Sequence, residues 1–400
     1  MPPSAPRGKG HRKQTLINEA ENRVGVQRME GALVLEDGTA VGGSFFGARR
    51  EVSGELVFNT NMTGYTEALT DPSYRGQILL MTYPLIGNYG VDPATMESEE
   101  IQVAGFVVKE ACAIPSHAKS VMSLPAFLLR HRVPGLQGAD TRMLTTRIRS
   151  RGTMKAAIVP AGADLDAAAQ TVRRMPHPDT RNLVAEVSCR APITYPGPEK
   201  RTLVVVDCGV KMNIIREAQR FARIVRVPYD ATADDVLRHR PDGVILSNGP
   251  GDPAHPAIVA STVVTARELA GRGVPLLGIC LGHQVLALAF GARTYKLKFG
   301  HRGGNQPVKD LRSGRVHITS QNHGFAVHAT SLKGGEFSVS HMNLNDDTVE
   351  GIVHRDLPIF SVQYHPEARP GPWDNEYLFR DFVASLGGRP TRRAGSRGGE

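Results

Sequence analysis

One stretch decides the fold of the C-terminal half of the chain, and it reads Pro275-Leu-Leu-Gly-Ile-Cys-Leu-Gly-His-Gln-Val-Leu-Ala-Leu-Ala-Phe-Gly291. Residues 275–279 are apolar and predict a short buried strand. After Gly282 the apolar residues recur at helical spacing, and Gly291 is expected to end this helix. Between the strand and the helix lies a G-x-C-x-G pattern, which is a nucleophile elbow with cysteine in the place of serine.

The physical requirements of an elbow explain its residues. A strand that turns sharply into a helix holds its central residue, here Cys280, in a strained conformation. Gly278 and Gly282 leave room for the turn because they carry no side chain. The thiol is then expected at the C-terminal edge of the sheet, above a helix N-terminus whose unpaired N–H groups favour the thiolate. Taken by itself, the pattern also fits a buried structural cysteine.

Length and composition predict two or three globular domains, since 400 residues are enough to bury cores without disulfides or metals. No apolar run approaches the roughly 20 residues that a membrane-spanning helix needs. The four cysteines are too few for a disulfide framework and show no paired metal-ligand spacing. A cytoplasmic location and no metal site in this chain are therefore expected.

The formal charge of +9 is concentrated in two tails. Residues 1–28 carry a net charge of +4 and residues 389–400 a net charge of +3, which leaves +2 for the 360 residues between them. Because both ends are polar and rich in Gly, Pro or Arg, residues 1–28 and 388–400 are predicted to be disordered basic tails, without specific nucleic-acid binding. Met29 directly precedes the first strand pattern, so residues 1–28 are interpreted as an extension or as the product of an early start codon. They lack the apolar core of a secretory signal.

The N-terminal half, residues 29–189, is predicted to be a smaller α+β or mainly β domain. It opens with a hairpin signal, in which Asp37-Gly38 separates two apolar runs. No catalytic motif is recognisable in this half from spacing alone. Further strands are predicted at residues 56–58, 78–83 and 103–108, and helices at residues 122–131 and after residue 140.

Residues 190–201 contain three prolines and no apolar period, and they are interpreted as a linker. In the second domain, residues 202–387, predicted strands and helices alternate four times with short connections. This alternation predicts an α/β fold with a doubly wound, mostly parallel sheet. Ligands of such sheets gather at the carboxyl ends of the strands, where Cys280 is expected. The predicted strands cover residues 203–206, 224–227, 243–246 and 275–279, and the predicted helices cover 213–221, 233–240, 258–270 and the stretch after 282.

Two more groups are expected at the same edge of the sheet. The loop Ser247-Asn-Gly-Pro-Gly-Asp-Pro253 has free backbone N–H groups that could bind a carboxylate or an oxyanion, although an ordinary tight turn fits it equally well. A predicted strand at residues 359–364 delivers His365-Pro-Glu367, in which the carboxylate can orient the imidazole and complete a Cys–His–Glu relay. The alternative for this pair is an ordinary surface contact.

The remaining glycines and histidines are given structural roles. Gly300-His-Arg-Gly-Gly304 is interpreted as a loop, since no phosphate-binding glycine motif follows a strand. The scattered histidines lack metal-ligand spacing and are interpreted as hydrogen-bonded structural residues. They are His301, His317, His323, His341 and His354.

Taken together, three motifs of the C-terminal half resemble the class I, triad-type glutamine amidotransferases. These motifs are Gly-Ile-Cys-Leu-Gly-His-Gln at 278–284, the loop 247–253 and His365-Pro-Glu367. Five other stretches resemble the family of carbamoyl-phosphate synthase small chains, and this resemblance runs from about residue 30 to residue 386. The five stretches are Leu-Glu-Asp-Gly-Thr (35–39), Phe58-Asn-Thr-Asn-Met-Thr-Gly-Tyr-Thr-Glu67, Thr70-Asp-Pro-Ser-Tyr74, Lys298-Phe-Gly-His-Arg-Gly-Gly-Asn305 and Gln321-Asn-His-Gly-Phe325.

The resemblance implies a role for individual residues. Cys280 would attack the side-chain amide of glutamine, His365 would move the protons, and Glu367 would hold the His365 tautomer. The oxyanion would lie on the N–H groups of Leu281 and Gly251. Binding of L-glutamine is implied for Ser73, Gly249, Gly251, Leu281, Gln284, Asn322, Gly324 and Phe325. Because Ser73 belongs to the N-terminal half, the glutamine pocket is expected near the domain interface, and His283 is left with a structural role.

The resemblance also implies a partner. The family pairs this chain with a large subunit that would use ATP, bicarbonate and a divalent metal to make carbamoyl phosphate for arginine and pyrimidine biosynthesis. Ammonia would pass between the two active sites through an interior channel. The chain itself has no nucleotide-binding motif, so no cofactor is expected on it, and neither nucleic acid nor a membrane is expected as a partner.

Three alternatives stay open at this point. One is an amidotransferase for another acceptor, such as anthranilate, a purine or CTP synthesis, against which residues 30–187 argue. The second is a degenerate amidotransferase that only binds and regulates a partner, against which the intact Cys280, His365 and Glu367 argue. The third is a nucleic-acid-binding module, which salt-dependent binding that is unchanged after removal of both basic tails would favour.

Overall fold

The computed structural model describes residues 30–386 except residues 199 and 333. The two basic tails predicted at 1–28 and 388–400 lie outside the described residues. The described chain forms a closed β-barrel followed by a ten-stranded sheet. None of the helices within this part of the chain is long and apolar enough to cross a membrane.

The barrel unit contains seven strands that close in the order β1-β2-β8-β6-β4-β3-β9, and the short β5 and β7 pair separately. Its strands are β1 (Gly31–Leu35), β2 (Ala40–Gly47), β3 (Val52–Asn59), β4 (Gln77–Met81), β5 (Leu85–Ile86), β6 (Gly105–Val107), β7 (Glu110–Ala111), β8 (Pro134–Gln137) and β9 (Met154–Pro160). Its helices are α1 (Tyr65–Thr70), α2 (Leu124–Arg130), α3 (Thr141–Arg151), α4 (Leu165–Arg174) and α5 (Leu183–Val187).

The predicted hairpin and the alternation of side chains both appear in the barrel wall. β1 and β2 are antiparallel, and Gly38 takes a φ of 90° in the turn between them, which a residue with a side chain rarely adopts. Along β4, Ile78 and Leu80 pack into one hydrophobic cluster, while Leu79 and Met81 pack into another. Both faces of this strand are therefore buried, as the period of two along a strand allows.

The second unit carries one ten-stranded sheet with the order β10-β12-β11-β13-β14-β19-β18-β17-β15-β16. Its strands are β10 (Ile193–Tyr195), β11 (Thr202–Asp207), β12 (Arg223–Pro228), β13 (Gly243–Leu246), β14 (Leu276–Ile279), β15 (Thr294–Asp310), β16 (Val316–Val327), β17 (Phe337–Asn343), β18 (Val349–His354) and β19 (Ile359–Val362). Its helices are α6 (Met212–Gln219), α7 (Ala233–Leu237), α8 (Pro256–Ile258), α9 (Val264–Gly271), α10 (Leu281–Ala289) and α11 (Tyr377–Ser385).

The five strands β12, β11, β13, β14 and β19 are parallel to one another, which confirms the predicted doubly wound arrangement. Their apolar runs are continuous because helices cover both faces of the sheet. In β11, Val204 and Val206 pack into the core on one face, whereas Leu203 and Val205 pack into the core on the other. The antiparallel strands β15–β18 extend the sheet beyond β19, and they were not part of the predicted alternation.

Three local predictions differ from the structure. The stretch interpreted as a linker contains β10, which pairs with the edge strand β12 although its residues show no clear apolar period. The loop predicted at Gly300–Gly304 lies inside β15, where irregular register against β16 accommodates the glycines, and Gly300 takes a φ of 70°. The helix predicted at 258–270 begins earlier and includes a π-helical stretch, Val259–Val263.

Candidate active site

Cys280 lies where β14 passes into α10, and its backbone has the strain that an elbow requires. Its φ of 54° and ψ of −104° fall in a region that residues with side chains rarely occupy. A Cβ on Gly282 would collide with the carbonyl oxygen of Leu246, and a Cβ on Gly278 would lie 2.6 Å from the carbonyl oxygen of Gly282. The two glycines are therefore needed for the close approach of the strand and the helix.

His365 and Glu367 follow β19 and reach the same edge of the sheet. The Nδ1 atom of His365 is 2.7 Å from Oε1 of Glu367, and both side chains are buried. Nε2 of His365 has no hydrogen bond of standard geometry, although the Cys280 thiol lies close enough to affect the ring. Burial by itself lowers the pKa of His365, but the Glu367 charge outweighs this effect and, with the thiol contact, raises the pKa to about 10. The ring therefore favours the protonated form, which stabilises a neighbouring thiolate.

Lys211 and Glu97 extend this pair into a buried chain of charges that the sequence did not predict. Nζ of Lys211 donates to Oε1 of Glu367 at 2.9 Å and lies 3.2 Å from Oε1 of Glu97. Burial raises the pKa of Glu367, but Lys211 and His365 outweigh it and lower the pKa to about 2. Lys211 follows the carboxyl end of β11, so the rule for parallel sheets could have found it. Glu97 comes from the barrel unit and gives no signal in the sequence.

A cleft of about 400 Å³ opens in front of Cys280 and brings together most of the residues expected to bind glutamine. Of the eight residues expected to bind glutamine, only Leu281 does not line the cleft, and it lies next to Cys280 at the start of α10. The expected residues that line the cleft are Ser73, Gly249, Gly251, Gln284, Asn322, Gly324 and Phe325.

Two backbone N–H groups beside the thiol are unpaired, as an oxyanion site requires. In the described part of the chain, no hydrogen bond uses the N–H of Leu281 or that of Gly251. Gly251 takes a φ of 86°, and a Cβ on Gly249 would collide with the carbonyl oxygen of Cys208. Gly249 is therefore needed where this loop packs against the backbone after β11, and Gly251 is needed for the turn of the loop.

Ser73 reaches the cleft from the barrel unit, where it lies in the short 3-10 helix Pro72–Tyr74. The side-chain amide of Asn248 donates to its Oγ at 2.9 Å. The neighbouring Asp71 accepts from the Ser73 N–H at 2.9 Å and from the side-chain amide of Asn322 at 2.8 Å. These contacts cross between the two units, so the cleft lies at their interface, as expected.

The two residues after the elbow glycine have different partners. Gln284 donates from Nε2 to the carbonyl oxygen of Phe325 at 2.7 Å and to Oε1 of Gln363 at 2.9 Å. His283 instead lies 2.8 Å from Oγ of Ser361 and is fully buried. Burial lowers the pKa of His283 to about 3, so this ring is neutral at neutral pH. This environment agrees with a structural role for His283.

The cleft also has a charged rim that sequence analysis missed, formed by Glu55, Asp179, Lys296 and Arg302. Nζ of Lys296 is 2.9 Å from Oε1 of Glu55 and 2.6 Å from Oδ2 of Asp179. These four residues come from β3, β15 and the chain before α5. No local pattern in the sequence joins them.

A second cavity, of about 340 Å³, shares Asn322 with the cleft and is lined by His365 and Lys211. Its other walls come from the barrel unit, from β16 and from the chain after the triad. They include Asn59, Asn61, Gly64, Glu67, Asp71, Tyr74, Arg369 and Pro370. Asn322 lines both cavities, whereas His365 lines only the second one.

Two of the scattered histidines meet in space although their spacing suggested no metal site. The ring nitrogens of His301 and His323 lie with the Glu350 carboxylate in one buried group. Oε1 of Gln321 lies between the two rings, 3.0 Å from His301 and 2.9 Å from His323. Because an amide group already occupies the centre, the cluster is explained as a hydrogen-bond network.

Comparison with known proteins agrees with this geometry. The family model described as "Carbamoyl-phosphate synthase small chain, CPSase domain" matches residues 33–158, and the one described as "Glutamine amidotransferase class-I" matches residues 204–385. A carbamoyl phosphate synthase small chain of Methanopyrus kandleri is 53% identical over 361 residues, which are 89% of this chain and 99% of that protein. The chain belongs to the carbamoyl phosphate synthase small chain family.

Bacterial members of the family are similar to the same extent. The small chain of Bacillus caldolyticus is 51% identical and covers 90% of this chain and 97% of its own length. A protein of Halalkalibacterium halodurans named as a pyrimidine-specific small chain is 50% identical and covers 89% of this chain and 96% of its own length. The alignments reach across both units, so the barrel belongs to the family as much as the amidotransferase domain does.

Proposed function

We propose that this chain hydrolyses L-glutamine at Cys280 and delivers the ammonia to a large subunit that makes carbamoyl phosphate. The observation that carries the proposal is the buried contact of His365 with Glu367 beside Cys280, which faces a cleft with two unpaired N–H groups. As a member of its family, the chain is the glutamine-hydrolysing subunit of an enzyme. It acts with a large-subunit partner.

The first half-reaction forms a thioester. The Cys280 sulfur attacks the carbonyl carbon of the glutamine side-chain amide, and the resulting oxyanion accepts hydrogen bonds from the N–H groups of Leu281 and Gly251. The proton on Nε2 of His365 passes to the nitrogen of the amide as the C–N bond breaks. Ammonia leaves, and a γ-glutamyl thioester remains on Cys280.

The second half-reaction releases glutamate. A water molecule attacks the thioester carbon, and His365 accepts the proton that the water loses. The collapse of the second tetrahedral intermediate expels the Cys280 thiolate and leaves the His365 ring protonated for the next cycle. Glu367 stays ionised throughout, because the charges of Lys211 and His365 lower its pKa. Its hydrogen bond to Nδ1 holds the His365 ring and stabilises the imidazolium.

Substrate binding uses both units of the molecule. Gln284, Asn322 and Phe325 line the amidotransferase side of the cleft, and Ser73 lines the barrel side. A zwitterionic amino acid needs both donors and acceptors, which the glycine loop and these side chains supply. Gly249, Gly251 and Gly324 allow the backbone to approach the substrate closely.

The second cavity supports a route for ammonia. It begins at His365 and Asn322, where the leaving nitrogen is released, and it continues toward Arg369 and Pro370. A neutral ammonia molecule that stays inside the protein avoids protonation in bulk water. The large subunit would then combine it with bicarbonate and ATP, with a divalent metal on that subunit, to supply arginine and pyrimidine biosynthesis.

The deciding experiment measures glutamine hydrolysis by this chain alone, and then with a carbamoyl-phosphate synthase large subunit, ATP and bicarbonate. We expect hydrolysis to be stimulated by the complete mixture and carbamoyl phosphate to form. Hydrolysis at the same rate with and without the large subunit would favour an amidotransferase that supplies ammonia to another acceptor. The absence of hydrolysis in both cases would contradict the proposal and favour a chain that only binds its partner.

A further inference from the structure

The buried charge chain behind the triad joins the two units of the molecule. Glu97 lies in the barrel unit between β5 and β6, and Lys211 lies between β11 and α6 of the sheet unit. Their side chains meet at 3.2 Å, and Lys211 continues to Glu367 at 2.9 Å. Lys211 is 5% exposed, and Glu97 and Glu367 are completely buried. Solvent therefore screens these charge interactions only weakly.

Glu97 is itself held in a fixed position. Its carboxylate accepts hydrogen bonds from the backbone N–H and from the side-chain amide of Asn213, both at 3.0 Å. Its carbonyl oxygen accepts from the N–H of Met212 at 2.9 Å. The barrel residue thus binds the first turn of α6, whose orphan N–H groups need acceptors. Burial raises the pKa of Glu97, whereas the Lys211 charge and the Asn213 hydrogen bonds favour the carboxylate, which can fix the ammonium group of Lys211.

We infer that Lys211, held by Glu97 of the barrel unit, is a positioning residue that fixes the Glu367 carboxylate and, through it, the His365 ring. This inference rests on the proposed function and adds one requirement to it. Glutamine hydrolysis then requires the contact between the two units for the geometry of the base as well as for binding of the substrate. Neither Lys211 nor Glu97 touches the reacting atoms.

The charges around His365 predict the direction in which its pKa shifts when Lys211 or Glu97 is replaced. The Lys211 charge opposes protonation of His365, and Glu97 partly neutralises Lys211. Removing the Lys211 charge should therefore raise the pKa of His365, and removing the Glu97 charge should lower it. The other ionisable residues near His365, Lys211 and Glu97 are the same in all of these variants. They are Glu367 and Cys280 beside His365, His323 on β16, Asp71 near Lys211, and Glu67 near Glu97.

The variants are chosen to separate positioning from folding. Lys211→Met removes the ammonium group, but it leaves two carboxylates without a buried cation and is expected to lower the stability of the fold. The double change Lys211→Met with Glu97→Gln removes one charge of each sign and keeps the balance. Arg216→Met is the control for the rest of this contact, because Arg216 donates to the carbonyl oxygen of Met96 at 3.2 Å and to Oδ1 of Asn213 at 2.9 Å without touching Lys211 or the triad.

We expect Lys211→Met and the double variant to lose about 100-fold in kcat, which is the cost of displacing a catalytic group by about 1 Å, with KM changed little. Glu97→Gln should lose less. The pKa of His365, read from the ¹³C-histidine NMR signal that disappears in His365→Asn, should rise in Lys211→Met and fall in Glu97→Gln. The control Arg216→Met should keep the wild-type kcat and the wild-type pKa of His365.

Two results would overturn the inference. One is a folded double variant with the wild-type kcat, together with a His365 pKa that is unshifted in both single variants. The other is an equal loss of kcat in Arg216→Met, which would reduce the contact to general support of the fold. The NMR titration needs no glutamine, so it tests the positioning of His365 even if the wild-type chain hydrolyses none. Inactivity of the wild type would instead count against the proposed function.

Discussion

The two sides of the catalytic centre are built in different ways. The nucleophile side lies within five consecutive residues, Gly278–Gly282, whose backbone turn aims the Cys280 thiol. The base side joins His365 and Glu367 to Lys211 and Glu97, which are far apart in the chain and come from both units. The comparison teaches that sterics can encode one half of a catalytic pair locally, while electrostatics must assemble the other half over long range.

The two sides also have different energetic costs. At the elbow the cost is backbone strain, since Cys280 has a φ of 54° that the packing of β14 and α10 must hold in place. At the base side the cost is the burial of charge, which is tolerated only when each charge has a partner. Glycine substitutions should therefore disturb the first side, and charge substitutions should disturb the second.

The largest expected effect tests the nucleophile side. Cys280→Ala should reduce glutamine hydrolysis on the order of 10⁶-fold, the loss typical of removing a nucleophile from a catalytic triad. The fold should be preserved, because alanine keeps the Cβ and buries no new group. An activity assay and a thermal melt check both statements. Cys112→Ala, which changes a cysteine outside the cleft, is the control, and full activity in Cys280→Ala would remove this thiol from the mechanism.

The next effect compares the two residues of the base side. His365→Ala should lose nearly as much activity as Cys280→Ala, whereas Glu367→Gln should lose about 10⁴-fold, because an orienting group moves no proton itself. Steady-state kinetics with glutamine measure both losses. The opposite ranking would reverse the roles that we assign to His365 and Glu367.

A smaller effect tests the contribution of the barrel to the cleft. Ser73→Ala removes the acceptor for the Asn248 amide and a polar group of the glutamine cleft. A lost hydrogen bond of this kind is worth about 1 kcal/mol, so we expect KM for glutamine to rise about fivefold with little change in kcat. Ser53→Ala, at an exposed position of β3, is the matched control. An unchanged KM in Ser73→Ala would contradict a role of the barrel unit in glutamine binding.

The last prediction concerns stability and pH. The pKa of His365 is raised from 6.5 to about 10 in the folded chain, so its charge contributes stability that is complete below about pH 6.5 and is lost as the pH rises toward 10. The free energy of unfolding should therefore fall more steeply over this range in the wild type than in His365→Asn. Urea unfolding at several pH values measures the difference. Parallel curves for the two proteins would contradict the raised pKa.

Much of the fold was predictable because its patterns are local. The alternation around Leu203–Val206 and Pro275–Ile279 predicted a parallel sheet, and Asp37-Gly38 predicted the first hairpin. The strand β10 and the irregular β15 were missed because their residues pair with distant strands without a clear period of their own. Closure of the barrel was not predictable either, since no single strand shows which neighbour it will have.

The sequence by itself determined the elbow around Cys280. Glycines on both sides of a cysteine, between an apolar strand and an apolar helix, leave few other conformations open to the chain. Only the tertiary structure decided that Lys211 and Glu97 would stand behind Glu367, and that Glu55, Asp179, Lys296 and Arg302 would rim the cleft. The physical reason is range: steric restrictions act between neighbouring residues of the chain, whereas pairing of buried charges depends on which distant segments the fold brings together.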